Sequence, residues 1–175
     1  MLCPHHSQRH FRIHGLCVMK NDTKSVYTCL EDVNTDSFIE SCSEEEDVVR
    51  AGEKYIIRGA STSGECSTHR YQPVPFYKTS GAVCIYLKSR CTEVGQVVAM
   101  KGSGLADTTC ICDYTQGYAY VTRPGDVCNC MPTIEDCTCY KNHCPENRRL
   151  STENECVHKS APSLAECTSI ATMEP

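Results

Sequence analysis

Sixteen cysteines in 175 residues, placed so that no two are separated by two residues, constrain this chain more than any other feature. The Cys-x-x-Cys unit is the half-site of zinc ribbons and the core of thioredoxin-like redox sites, so its absence speaks against both. Three Cys-x-Cys doublets occur instead, at Cys110 and Cys112, Cys128 and Cys130, and Cys137 and Cys139. On an extended strand the two thiols of a doublet lie on one face, two residues apart along the chain. Bridging each other would close a strained ring. Each member is therefore expected to pair elsewhere, so that a doublet ties two loops together at one point.

The rest of the composition explains why crosslinks are needed. The chain has no tryptophan and only three phenylalanines, too few large apolar side chains for an ordinary core. Small modules make up that deficit with bridges or metals, and a bridge closing a loop of about 15 residues stabilises by roughly 3 kcal/mol. The expected fold is small, disulfide-rich and loop-rich with short β-hairpins, in an elongated row of cysteine-rich modules. Cysteine density suggests a divergent N-terminal region over 1–66, modules over 67–111 and 112–156, and a tail or start of a stalk over 157–175. Paired cysteines imply an oxidising compartment, and the expected location is extracellular, either secreted or in the ectodomain of a membrane protein. Met1-Leu2-Cys3-Pro4-His5-His6 does not resemble a secretory leader, and the longest apolar run, at 82–87, is too short to span a bilayer. The expectation is of an ectodomain fragment or truncated product, with no membrane insertion within this chain.

Net charge is −5, with acidic residues gathered at Glu44-Glu45-Glu46-Asp47, which argues against nucleic acid as a partner. That run suits a solvated turn, with Ser43 and Glu46 placed for a capping box. Helical periodicity is nearly absent. Short β-type runs are expected at Val48–Arg50 and Tyr55–Ile57, flanking a hairpin or bend at Ala51-Gly52. Others are expected at Val83–Leu87, Gln96–Met100 and Tyr118–Val121. Asn21-Asp22-Thr23 is a glycosylation sequon, making Asn21 a candidate modified residue. His10 and His14 have the spacing of half a zinc finger, but only Cys3 precedes them, and the tract suits a solvent-exposed surface better than a metal site. No metal and no cofactor is expected.

Residues 91–112 read Cys-Thr-Glu-Val-Gly-Gln-Val-Val-Ala-Met-Lys-Gly-Ser-Gly-Leu-Ala-Asp-Thr-Thr-Cys-Ile-Cys. This segment resembles the second half of a tumour necrosis factor receptor cysteine-rich repeat, best over about 91–121 and more weakly to 156. The Cys-Asp-Tyr-x-x-Gly-Tyr segment that follows is similar to one in invertebrate receptor-like ectodomains. The resemblance implies a bridge between Cys91 and Cys110. It also implies a new repeat opening at Cys112, with Cys128 as its partner and Tyr118 or Tyr120 as its early aromatic. The residues agree with the first of these: Gln96–Met100 suits a strand, 101–104 a turn, and Asp107 and Thr108 can turn the chain through side-chain hydrogen bonds. The chain departs from the repeat at Gly102-Ser103-Gly104, where the family has a cysteine, and at Cys84, which lies seven positions before Cys91 rather than three. Cys84 is thereby left for another partner, with Cys66 the candidate. Cys130, Cys137, Cys139, Cys144 and Cys156 are further bridge candidates outside the standard pattern.

The function these features imply is protein–protein recognition by a receptor-like ectodomain, with a protein ligand of the trimeric tumour-necrosis-factor type. Tyr71, Phe76, Tyr77 and Tyr118 are candidate contacts, because aromatic anchors dominate interfaces. The alternatives are a structural secreted cysteine-rich protein and an intracellular thiolate metal-binding protein. No Gly-x-Ser-x-Gly, His-Glu-x-x-His, phosphate loop or dinucleotide fingerprint occurs, and no enzyme activity is expected.

Overall fold

Strand-forming residues in this chain come in runs too short to build a large sheet, and among the described residues the backbone follows suit with one four-stranded ladder and five two-stranded ones. The computed structural model describes residues 3–18, 26–43, 47–77, 83–162 and 167. Two compact units result. The first comprises Met1–Leu87 with Ser103–Ala106, and the second Lys88–Gly102 with Asp107–Pro175.

In the first unit, helix α1 (Arg9–Leu16) precedes a hairpin of β1 (Val26–Asp32) and β2 (Ser37–Ser43), antiparallel in register from Val26 opposite Ser43 to Asp32 opposite Ser37. The turn is set by Asp32, whose Oδ1 accepts from Asn34 N at 3.0 Å. Tyr27 and Cys29 lie on one face of β1 and pack with Cys17; Ile13 of the helix and Phe38 of β2 close around them. Thr28 and Leu30 are buried on the opposite face, Thr28 sharing a hydrogen bond with Ser41 Oγ at 2.8 Å. An isolated eight-residue helix is marginal in water, and α1 buries none of its residues fully. Bridges on both sides of it supply what its sequence lacks: Cys3–Cys29 before it and Cys17–Cys42 at its C-terminal cap tie it to the hairpin. Arg12 also pairs with Glu40, which accepts from Tyr27 Oη at 2.7 Å.

Strand β3 (Val48–Val49) is followed by a turn at Gly52, whose φ of +80° is a left-handed conformation that glycine adopts readily. The expected hairpin or bend at Ala51-Gly52 is a bend: β4 (Glu53–Arg58) leaves it to pair with β5 (Ala60–Glu65) and, in parallel, with β1. The four-stranded order is thus β2-β1-β4-β5. Lys54 of β4 pairs with Glu31 of β1 across the parallel seam. Strands β6 (Arg70–Tyr71), β7 (Phe76–Tyr77) and β8 (Tyr86–Leu87) complete the unit, β3 pairing with β7 and β6 with β8. Gln72 is fully buried between them with every polar group met. Its amide donates to Val74 O and accepts from Ile85 N, while its backbone N–H donates to Gly104 O and its carbonyl accepts from Gly52 N. Such complete satisfaction is what makes a buried amide affordable. The expected run Val83–Leu87 is a strand only over its last two residues, because Cys84 is held by its bridge to Cys66 and Ile85 by Gln72.

In the second unit β9 (Gln96–Met100) and β10 (Thr109–Cys112) form an antiparallel pair that brings Cys110 back beside Cys91. Asp107 fixes the return, its carboxylate accepting from Ser89 N, Ser89 Oγ and Thr108 N. A single 3-10 turn, Tyr114–Gln116, is closed by Gly117 in the left-handed region and capped by Asp113. Then come β11 (Tyr118–Tyr120), paired with β12 (Cys139–Lys141), and β13 (Arg148–Leu150), paired with β14 (Cys156–His158). The segment expected as a tail, 157–175, begins inside β14, and its Cys167 is bonded to Cys128. Asn21 and the acidic residues 44–46, with the capping box expected there, lie outside the described residues; Asp47 accepts a hydrogen bond from Tyr55 Oη.

Candidate functional site

All sixteen cysteines are bonded, in eight bridges. The molecule is a small disulfide-stapled protein of strands and loops, a construction that belongs to an oxidising environment. No helix among the described residues is long and apolar enough to cross a membrane.

Cys91 bonds Cys110, Cys66 bonds Cys84, and Cys144 bonds Cys156. The expected pairing of Cys112 with Cys128 is corrected: Cys112 bonds Cys139, Cys128 bonds Cys167, and Cys130 bonds Cys137. Strand pairing is the reason. β12 lies against β11 with Cys139 opposite Tyr120, which delivers its sulfur to Cys112. Cys128 meanwhile is held in a turn whose N–H donates to Asp126, and Cys130 is locked to Cys110 by reciprocal backbone hydrogen bonds of 2.8 and 2.9 Å. No doublet closes on itself. Each passes from one bridge to the next, so that Cys91–Cys110, Cys112–Cys139, Cys137–Cys130 and Cys128–Cys167 run as a relay through the three doublets. The bridges at Cys3, Cys17, Cys29 and Cys42 were not singled out in the sequence, because wide spacings carry no pairing signal.

Tyr120 occupies the centre of this relay. It is 5% exposed and packs with Cys110, Ile111, Cys112, Cys130 and Cys137. Its hydroxyl donates to Cys110 O at 3.2 Å and lies 3.4 Å from Val127 O. Burial pushes that hydroxyl from its usual 10 up to about 12; a hydrogen bond with the Cys112 backbone works against the rise, and the carboxylates of Asp126 and Glu135 add to it. Tyr27 in the first unit is raised too, first by burial and then by its bond to Glu40. A phenol held neutral in the fold but free to ionise when unfolded stabilises the fold fully below pH 10. That contribution is lost as pH rises from there through about 12. Alkaline titration followed by phenolate absorbance is expected to show Tyr27 and Tyr120 ionising late, with Tyr120→Phe removing one of those late steps.

Of the expected aromatic contacts, Phe76 is buried and is corrected to a core residue. Tyr118 is half-buried against Gly95, where an added Cβ would sit 2.2 Å from its ring, with Lys141 Nζ 4.6 Å from the ring centroid. Tyr77 is exposed and stands directly across from exposed Val48. Tyr71 stands across from exposed Tyr86, ring centroids 5.4 Å apart, beside Leu87. Two exposed aromatic patches in the first unit are thus backed by short ladders, the second of them flanking the Cys66–Cys84 bridge.

In the second unit the Cys130–Cys137 bridge closes a tight loop. Glu135 pins it from inside, accepting from Gly125 N at 2.8 Å and Met131 N at 3.3 Å, while Ile134 projects outward at 72% exposure. A separate cavity of about 470 Å³ is lined by Tyr114, Thr115, Asn142, His143, Arg148 and Arg149 among others. It has no counterpart in the sequence expectations, since its walls lie far apart along the chain. His10 and His14 are neighbours on α1, ring centroids 4.8 Å apart, but no group of three or more possible metal ligands gathers among the described residues. With no free cysteine, no thiolate is available to a metal in this structure.

Comparison of the chain with family models, with curated proteins and with solved structures finds no match.

Proposed function

We propose that this protein is an extracellular recognition module of the receptor-ectodomain kind, binding a protein ligand. The observation that carries the reading is the combination of complete bridging with apolar side chains left outside: Tyr77 with Val48, and Tyr86 with Leu87, stand exposed on backbone that crosslinks and ladders hold in place. Such surfaces lose little ordering entropy on binding, and tyrosine is among the residues that most often dominate an interface. The Cys91–Cys110 bridge across the β9–β10 pair supports the likeness to a tumour necrosis factor receptor repeat, and with it a trimeric ligand of that type. Binding rather than catalysis is the activity this reading assigns.

The test is surface plasmon resonance of the oxidised, full chain against a panel of trimeric cytokine-like proteins. One specific binder is expected, and Tyr86→Ser together with Tyr77→Ser is expected to weaken it by about tenfold or more while leaving the bridges intact. A panel without a binder, or a binder indifferent to both substitutions, overturns the reading in favour of a structural secreted protein.

A further inference from the structure

The cavity in the second unit has walls of unlike origin and one chemical character. One wall is the 3-10 turn Tyr114–Gln116 with Gly117, whose carbonyl accepts from Asn142 N at 2.8 Å and so draws 142–144 alongside. The opposite wall is β13, paired with β14 and anchored at its far strand by the Cys144–Cys156 bridge. The lining holds two arginines, a histidine, an asparagine, a threonine and a tyrosine, and no aspartate or glutamate. In a protein of net charge −5 this is a local reversal of sign.

The arginines are held in position and keep most of their donors. Arg148 Nη1 donates to Cys156 O at 3.2 Å, and Arg149 Nη2 donates to Ala161 O at 2.8 Å. A guanidinium carries five N–H donors, so each of these bonds fixes the fork and leaves the remainder for something else. Neither arginine forms an ion pair among the described residues, where the pairs are Arg12 with Glu40 and Lys54 with Glu31. Forked guanidinium donors match the oxygens of a tetrahedral or planar anion better than any other side chain does. The volume of about 470 Å³ falls within the roughly 300–1,000 Å³ of sites for small organic ligands and exceeds what a lone ion needs. Thr115, Asn142 and His143 offer hydroxyl, amide and imidazole groups to a polyhydroxylated body, and Tyr114 offers a ring face.

We propose that this cavity binds a sulfated saccharide, with Arg148 and Arg149 on its sulfate groups and Tyr114, Thr115, Asn142 and His143 along the sugar. The oxidising environment that eight bridges require is the compartment in which sulfated sugars are displayed, which favours sulfate over phosphate as the anion. The site is independent of the protein-ligand reading, since its residues are separate from the exposed Tyr77 and Tyr86 patches.

Isothermal titration calorimetry of the oxidised chain with a heparin-derived tetrasaccharide tests it, beside the same sugar without sulfate, inorganic sulfate, and a sulfotyrosyl peptide. Saturable binding of the sulfated sugar is expected, weakened by roughly tenfold or more without its sulfate and by a similar factor in R148Q/R149Q, as the loss of charge-assisted hydrogen bonds implies. Arg123→Gln, which removes an exposed positive charge outside the cavity, is expected to change affinity less than about twofold, as a screened surface charge should. R149Q alone, which keeps Arg148, serves if the double variant does not fold. An equal loss with Arg123→Gln means diffuse electrostatic attraction and overturns the site. Absence of binding overturns it too, as does competition by inorganic sulfate as strong as by the sugar, or preference for the sulfotyrosyl peptide.

Discussion

Replacing Cys112 and Cys139 together by alanine is expected to destabilise the second unit by about 2–5 kcal/mol, the usual loss when a small bridge-dependent domain gives up a native crosslink. The two sulfurs join β10 to β12 across 27 positions of sequence, and Cys112 is almost wholly buried. Their removal frees the unfolded chain and leaves a gap beside Tyr120. Guanidinium unfolding of the oxidised variant measures the loss. Peptide mapping of the parent chain is expected to find Cys112 with Cys139 and Cys128 with Cys167. Finding Cys112 joined to Cys128 instead would sink the connectivity and the prediction together.

Tyr120→Ala is expected to cost about 3–5 kcal/mol, as deletion of a buried aromatic does. Few side chains in the unit are large, so little nearby can collapse into the vacated space among Cys110, Ile111, Cys112, Cys130 and Cys137. Tyr120→Phe separates packing from hydrogen bonding. The Cys110 carbonyl that accepts from the hydroxyl also accepts from Cys130 N at 2.9 Å, so it is not orphaned by the change. The expected cost is then about 0.5–1.5 kcal/mol. If thermal or denaturant unfolding gave equal losses for the two variants, the ring would not be the packing element argued above.

Much of the second unit could be read from its residues. Gln96–Met100 becomes a strand over the expected positions, and Tyr118-Ala119-Tyr120 does so within one residue of its expected end, because Gly and charged turn residues bracket both. That no doublet closes on itself follows from the strain of so small a ring. Which sulfur Cys112 meets does not: that depends on β12 lying against β11, and Cys139-Tyr140-Lys141 carries no alternation that would announce a strand. In the first unit, β1 was hidden because both of its faces are buried, so Tyr27, Thr28, Cys29 and Leu30 show no period of two. Helix α1 was hidden for the converse reason. It has no apolar stripe, and crosslinks rather than a buried face hold it. The basic cavity was illegible because Tyr114 and Arg148 meet only through the Gly117–Asn142 hydrogen bond and the β13–β14 pair. Adjacent arginines alone carry no such message.

The relay of bridges through the three doublets gives the second unit an inner cable. A pull applied between Cys91 and Cys167 passes from sulfur to sulfur by way of Ile111, Thr138 and Asn129, and the long loops between those points carry none of the load. The unit therefore resists stretching at the strength of covalent bonds. A protease that severed one of those slack loops would leave both halves tethered until the sulfurs were reduced.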